Sequence, residues 1–165
     1  MADPALIALA ERLQGICAGR GLTVATAESC TGGLVGEAIT SVAGSSGYFL
    51  GALVTYADEA KTAILGVPAE MLAAHGAVSA EVARAMAEGA RARLQSSLAV
   101  SITGIAGPDG GSEAKPVGLT YVGLASADGV DARKHVFGSD RAGNRAAAAM
   151  AALEWLIEQA AAGSR

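Results

Sequence analysis

A serine hydroxyl, a lysine amine and two guanidinium groups lie beside glycines in four polar stretches that interrupt otherwise apolar runs. The first stretch, Thr26-Ala27-Glu28-Ser29-Cys30-Thr31-Gly32-Gly33, sets Ser29 ahead of a glycine pair that opens a segment of helical spacing. Backbone N–H groups at a helix start favour an anion, so Thr31, Gly32 and Gly33 could cradle a phosphate, or an oxyanion developing beside Ser29. The same residue types also make an ordinary polar helix cap, and spacing alone leaves both readings open. In the second stretch, Thr55 to Lys61, Asp58 is the expected N-cap, which sets Lys61 at the third position of the first turn. A cation there meets the helix dipole unfavourably. Partial burial and the positive helix end would both lower its pKa and leave a neutral amine able to take a proton from a serine hydroxyl. The alternative is a solvated lysine on a charged turn. Tyr56 is either a hydrogen-bonding neighbour or a core aromatic.

The third stretch, Gly104 to Gly118, holds five glycines and two prolines. It is not a G-x-G-x-x-G turn leading into a helix, and no G-x-x-x-x-G-K-[ST] occurs, so neither dinucleotide binding nor a P-loop follows. Glycines still let backbone come close to a ligand and prolines stiffen the path, so Gly107, Asp109 and Gly110 are candidate contacts in a preformed wall. In the fourth stretch Arg141 and Arg145 stand four apart at a helix start. That spacing puts both forks on one helix face, where they make either a phosphate receptor or a surface pair with Asp140 as cap. His75 and His135 are isolated, and no His, Cys and carboxylate cluster has ligand spacing, so no metal and no cofactor is expected. A Cys30–His75 nucleophile pair is conceivable. Against it, a cysteine is as often a small buried apolar residue, and His75 before Gly76 fits the end of a helix.

The elements that must position these groups alternate. Leu6, Ile7, Ala10, Leu13 and Ile16 predict a first helix after Pro4, stopped by Gly19 and Gly21. Leu22 to Thr26 reads as a strand, Ala27 to Gly33 as a loop and Leu34 to Val42 as a helix. Tyr48 to Tyr56 reads as extended, and Glu59 to Leu65 as a helix that Gly66 ends, with Pro68 as the first residue of the next. Ser79 caps a long helix through Leu94, on the spacing of Val82, Met86, Ala90 and Leu94. Leu98 to Ile105 is a buried strand, Val117 to Ser126 and Ala132 to Phe137 are strands joined at Asp128-Gly129, and a last helix runs from Asp140 to Ala161. With no repeat or linker to divide it, the chain is expected to form one α/β domain over 1–165, a three-layer α/β/α sandwich.

The 165 residues are 52% hydrophobic and 17% charged, with a formal net charge of -4. That excludes a disordered chain and leaves no basic field for a nucleic-acid backbone. Two cysteines are too few for a disulfide scaffold. Met1 to Pro4 lacks a basic leader region, and the apolar run before Glu154 falls short of the roughly 18 residues of a membrane span. A cytoplasmic protein without a membrane partner is expected.

Five strings carry a resemblance to a known family: T-A-E-S-C-T-G-G at Thr26 to Gly33, G-S-S-G-Y-F at Gly44 to Phe49, V-T-Y-A-D-E-A-K at Val54 to Lys61, L-A-A-H-G-A-V-S at Leu72 to Ser79, and G-I-A-G-P-D-G-G-S-E-A-K-P-V-G at Gly104 to Gly118. Together they resemble the CinA C-terminal domain family, which includes stand-alone nicotinamide-nucleotide amidohydrolases. The resemblance implies an α/β/α sandwich, a homo-oligomer, and deamidation of nicotinamide mononucleotide, a small-molecule nucleotide, to nicotinic acid mononucleotide and ammonia in pyridine-nucleotide salvage. It places the nucleophile on Ser29, its lysine partner on Lys61, a supporting hydroxyl on Tyr56 and the polar start of the last helix on Arg141 and Arg145. Glu28 or Asp109 would meet the charge of the pyridinium ring. Asp58 stands where the family commonly has Asn, and the additional N-terminal domain of many members, similar to molybdopterin-binding proteins, has no counterpart in this sequence. Two other functions use the same features: a Ser–Lys amidase or esterase acting on an unphosphorylated substrate, and a non-catalytic nucleotide-binding module.

Overall fold

Asp3 accepts the Ala5 N–H and Pro4 takes the first helical position, which starts α1 (Pro4–Arg20); Gly21 in the left-handed region ends it. The computed structural model describes residues 1–163. β1 (Val24–Glu28) follows and is buried along its whole length, because it pairs in parallel with β2 (Phe49–Val54) on one side and β3 (Leu98–Gly104) on the other. Between β1 and β2 lies α2 (Leu34–Thr40), and between β2 and β3 lie α3 (Asp58–Leu65), α4 (Ala69–His75) and α5 (Ala80–Leu94). β4 (Leu119–Ser126) and β5 (Gly129–Val136) add antiparallel strands, giving the sheet order β2-β1-β3-β4-β5. α6 (Arg141–Ala162) closes the domain, with the Asp140 carboxylate accepting the Gly143 N–H at its start.

The helices cover both faces. Leu6, Leu13, Val35, Ile39, Leu153 and Leu156 from α1, α2 and α6 pack on Val24, Val100 and Val122. On the other face Val82, Met86 and Ala90 of α5 pack with Leu65 on Ala25, Ala27 and Ala99. This is the single-domain α/β/α sandwich expected. β1 is also the strand at which connections diverge, since α2 leads to β2 on one side and α5 leads to β3 on the other. In open α/β sheets a crevice forms at such a point, outside the carboxyl ends of the strands.

Several boundaries differ from the sequence expectation. β1 runs to Glu28 rather than Thr26, because ladders on both sides override the polar composition of its end. β5 starts at Gly129, leaving Ala127 and Asp128 to join the hairpin. Pro68 precedes α4 as its cap instead of opening it. Ala57, not Asp58, precedes α3, so Lys61 is the fourth helical residue rather than the third.

Candidate active site

The carboxyl ends of β1, β2 and β3 open onto a cleft of about 280 Å3, lined by Ser29, Tyr56, Lys61, Thr103, Asp109 and Arg141 among others. Ser29 is the first residue beyond β1, pinned by its N–H donating to the Ile102 carbonyl at 3.0 Å. Lys61 lies on α3, whose start is set by the strand end at β2. Its Nζ is 3.1 Å from Ser29 Oγ and donates to the Tyr56 carbonyl at 2.9 Å. Lys61 is only 1% exposed and Ser29 8%. Burial lowers the Lys61 pKa, and Asp58, whose Oδ1 is 3.9 Å from Nζ, works in the opposite direction together with Cys30 and Glu59. Desolvation is the larger influence, so the neutral amine is favoured relative to a lysine in water. The pair thus has the geometry of a nucleophile beside its base.

Cys30 lines the same cleft, but burial pushes its thiol up to about 11, which leaves it protonated at neutral pH. His75 does not pair with it; its ring lies 3.9 Å from Glu81. Among the described residues, no group of three His, Cys, Asp or Glu side chains could hold a metal ion. No described helix is long and apolar enough to cross a membrane.

The glycine-pair stretch is built differently from the expected phosphate cradle. Glu28 is fully buried, and its carboxylate accepts from the N–H groups of Gly33 (3.0 Å), Val35 (3.1 Å) and Gly36 (2.9 Å) and from the hydroxyls of Thr26 (3.2 Å) and Thr31 (2.8 Å). The protein's own carboxylate therefore already occupies the start of α2. Glu28 is a buried cap and not a ligand contact, Thr31 is enclosed with its hydroxyl on Glu28, and the Gly33 N–H is taken. The Gly32 N–H is taken as well, by the Ser29 carbonyl at 3.0 Å. Gly36 permits this arrangement, because a Cβ there would lie 3.0 Å from the Ala52 Cβ and 3.7 Å from Glu28 Oε1.

The two arginines also part company. Arg141 is exposed and lines the cleft, with Nη1 donating to the Gly107 carbonyl at 2.8 Å and Nη2 to the Tyr56 hydroxyl at 3.3 Å. Arg145 turns the other way: Nε donates to the Cys30 carbonyl at 3.0 Å and Nη2 to the Thr31 carbonyl at 2.8 Å. Four-residue spacing put both on one helix face, yet their long stems carry the two forks to different neighbours.

The glycine-rich segment is held as a wall. Asn144 donates to the Ala106 carbonyl, Arg141 to that of Gly107, and Lys115 Nζ to that of His75 at 2.6 Å. Gly107 takes a positive φ of 85°, and a Cβ there would meet Val117 Cγ1 at 2.5 Å, so both conformation and space call for glycine. Asp109 and Gly110 are exposed at the cleft rim. Thr103 and Gly104 at the end of β3, and Ala77 and Val78 before α5, also line the cleft and were not among the candidate contacts. The signal for the first two was positional: a strand pairing in parallel with β1 must end beside Ser29.

A family model described as the CinA C-terminal domain matches residues 6–160. The chain is similar to a CinA-like protein of Geobacter sulfurreducens, with 57% identity over 137 residues, which make up 83% of this chain and 33% of that protein. It spans about a third of the length of the curated relatives it matches. Its fold superposes on the competence/damage-inducible protein CihA of Agrobacterium tumefaciens with a TM-score of 0.93 at 42% identity, covering 96% of this chain and 97% of that one. A CinA superfamily protein of Klebsiella pneumoniae superposes with a TM-score of 0.92 at 32% identity, covering 96% and 99% of the two chains.

Proposed function

The chain belongs to the CinA C-terminal domain family, and from that premise we propose that it is an amidohydrolase that converts nicotinamide mononucleotide to nicotinic acid mononucleotide and ammonia. The observation that carries the reading is the 3.1 Å contact between the buried Lys61 amine and Ser29 Oγ at the floor of a cleft that Arg141 overlooks. Neutral Lys61 takes the Ser29 proton as Oγ bonds to the carboxamide carbon, and the carbonyl oxygen becomes negative. That proton passes to the leaving nitrogen, ammonia departs, and an acyl-Ser29 ester remains. Lys61 then takes a proton from water, whose oxygen attacks the ester and releases the acid with Ser29 restored. Splitting amide cleavage into these two steps lowers each barrier below that of direct attack by water. Asp109 and Asp58 give the rim negative charge to face the cationic ring, and Arg141 gives it a fork for the phosphate.

Incubation of the purified protein with nicotinamide mononucleotide, with ammonia and the acid nucleotide measured together, tests the reading; absence of both products overturns it.

Arg141→Ala is expected to lower kcat/KM on the mononucleotide about tenfold to a hundredfold, the worth of a charge-assisted phosphate contact. Any slow reaction of the unphosphorylated riboside should scarcely change. Equal losses on both substrates would instead mark Arg141 as a brace for Gly107 and Tyr56.

The Asp58 carboxylate holds the Lys61 pKa above what burial alone would give. Removing that charge in Asp58→Asn lowers the pKa further. Because the neutral amine is the active form, the ascending limb of the pH–rate profile should move to lower pH, by less than about one unit since the aspartate side chain is largely in water. A pH series of kcat/KM on the two proteins checks the sign.

A further inference from the structure

We infer that Arg145 is a positioning residue that, by bracing the turn after β1, aims the Cys30 N–H at the oxygen that turns negative when Ser29 is attacking. The inference rests on the Ser29 reading above and takes Arg145 away from the phosphate.

Three successive carbonyls of the turn after β1 are held from one side or within the turn itself. The Ser29 carbonyl accepts from the Gly32 N–H at 3.0 Å, that of Cys30 from Arg145 Nε at 3.0 Å, and that of Thr31 from Arg145 Nη2 at 2.8 Å and the Leu34 N–H at 3.2 Å. The peptides here are trans, and in a trans peptide the N–H points opposite to the C=O. The Cys30 N–H shares its peptide with the Ser29 carbonyl, which the Gly32 N–H holds. The Gly32 N–H in turn shares its peptide with the Thr31 carbonyl, which Arg145 holds, so Arg145 sets the direction of the Cys30 N–H through the Thr31–Gly32 peptide. Thr31 is fully enclosed, whereas Cys30 lines the cleft directly beside Ser29. The Gly32 and Gly33 N–H groups are occupied within the protein. Cys30 thus offers the N–H of this turn that reaches a substrate oxygen.

Arg145 suits the task in two ways. Its rigid fork spans two neighbouring carbonyls, which a lysine's single ammonium cannot hold in one plane. It makes no ion pair with a carboxylate among the described residues. Its charge therefore falls on the Cys30–Thr31 and Thr31–Gly32 peptides and makes the Thr31 and Gly32 N–H groups stronger donors. The Gly32 N–H bonds to the Ser29 carbonyl, so the polarisation is passed on to the Ser29–Cys30 peptide and its N–H. The start of α6 is itself fixed, by Asp140 capping the Gly143 N–H and by Asn144 bridging the Ser139 N–H and the Ala106 carbonyl.

Removal of one donor to a developing oxyanion typically costs about 10² to 10³ in kcat. Arg145→Gln, which loses the charge and the fork, should lose kcat by at least tenfold with KM for nicotinamide mononucleotide within about threefold and the ascending pH limb unmoved. Arg145→Lys, which restores charge but not the fork, should recover only part of the loss. The rate at which a fluorophosphonate labels Ser29 reports the same N–H without relying on the substrate, and should fall in step. Millimolar guanidinium should restore part of the labelling rate in Arg145→Ala. Should the Gln variant fail to fold, the Lys variant carries the same comparison. A raised KM with kcat and labelling intact would make Arg145 a phosphate contact and overturn the inference, as would unchanged kinetics. A wild-type chain that labels but leaves the mononucleotide untouched overturns the substrate reading alone, and labelling of the variants still decides for or against Arg145. A wild-type chain that neither labels nor hydrolyses overturns both.

Discussion

Ser29→Ala should abolish ammonia release from nicotinamide mononucleotide, with turnover down by at least about 10⁴-fold, the scale seen when a covalent nucleophile is removed from a serine hydrolase. The size of the effect follows from the absence of a substitute. The neighbouring thiol of Cys30 is the nearest alternative nucleophile, but burial holds it protonated, with a pKa of about 11. Cys30→Ser should accordingly keep most of the activity. The Ser29 hydroxyl donates to no group that the fold depends on, since its hydrogen bond is the one from Lys61. Melting temperature and ligand binding in Ser29→Ala should therefore stay near those of the parent, which separates lost chemistry from lost structure. A variant that hydrolyses at the parental rate removes Ser29 from the reaction.

Lys61→Arg and Lys61→Met form the second pair with a large expected loss. Arginine keeps a cation beside Ser29 but cannot yield its proton at any working pH, whereas methionine fills nearly the same space and carries no charge. If Lys61 acts by proton transfer both variants lose about 10² to 10⁴ in kcat, the range of a positioned general base. If it acted only as a positive charge, the arginine variant would keep substantial activity. Lys61 is fully buried, so the larger guanidinium must displace neighbours, and the methionine variant serves as the check on folding. In the parent, the ascending limb of kcat/KM against pH should lie below the ordinary lysine range, because burial favours the neutral amine. A limb at the value of a solvated lysine would contradict the dyad.

The fold was legible because the period of the apolar residues changes cleanly from helix to strand. Leu6, Leu13 and Cys17 bury one stripe of α1, and Val82, Met86 and Ala90 do the same for α5. The meeting of Ser29, Tyr56 and Lys61 at one cleft was legible for another reason: Ser29 and Tyr56 follow strand ends, Lys61 lies one turn into the helix after β2, and strand ends in such a sheet face one crevice. What could not be read was the direction in which polar groups turn. Glu28 follows alternation onto the face that carries α2, so its carboxylate meets the start of that helix instead of the cleft. Nothing in the spacing of Arg141 and Arg145 distinguishes an arginine over the cleft from one behind the turn. That distinction depends on where α6 docks, which is a property of the sandwich as a whole. Of the two readings left open for Thr31, Gly32 and Gly33, the structure shows the polar cap, with the Thr31 hydroxyl and the Gly33 N–H on the Glu28 carboxylate and the Gly32 N–H on the Ser29 carbonyl.

The reach of α6 has a consequence for biosynthesis. Ser29 and Lys61 meet once β1, β2, α3 and β3, whose Ile102 carbonyl pins Ser29, have formed, yet the carbonyls beside Ser29 and at Ala106 and Gly107 wait for donors from Arg145, Asn144 and Arg141. Chains emerge from the ribosome N-terminus first, so these donors are made after everything they brace. A nascent chain would therefore carry the reactive pair before the walls around it are secured, and its chemistry would switch on only when the last helix docks.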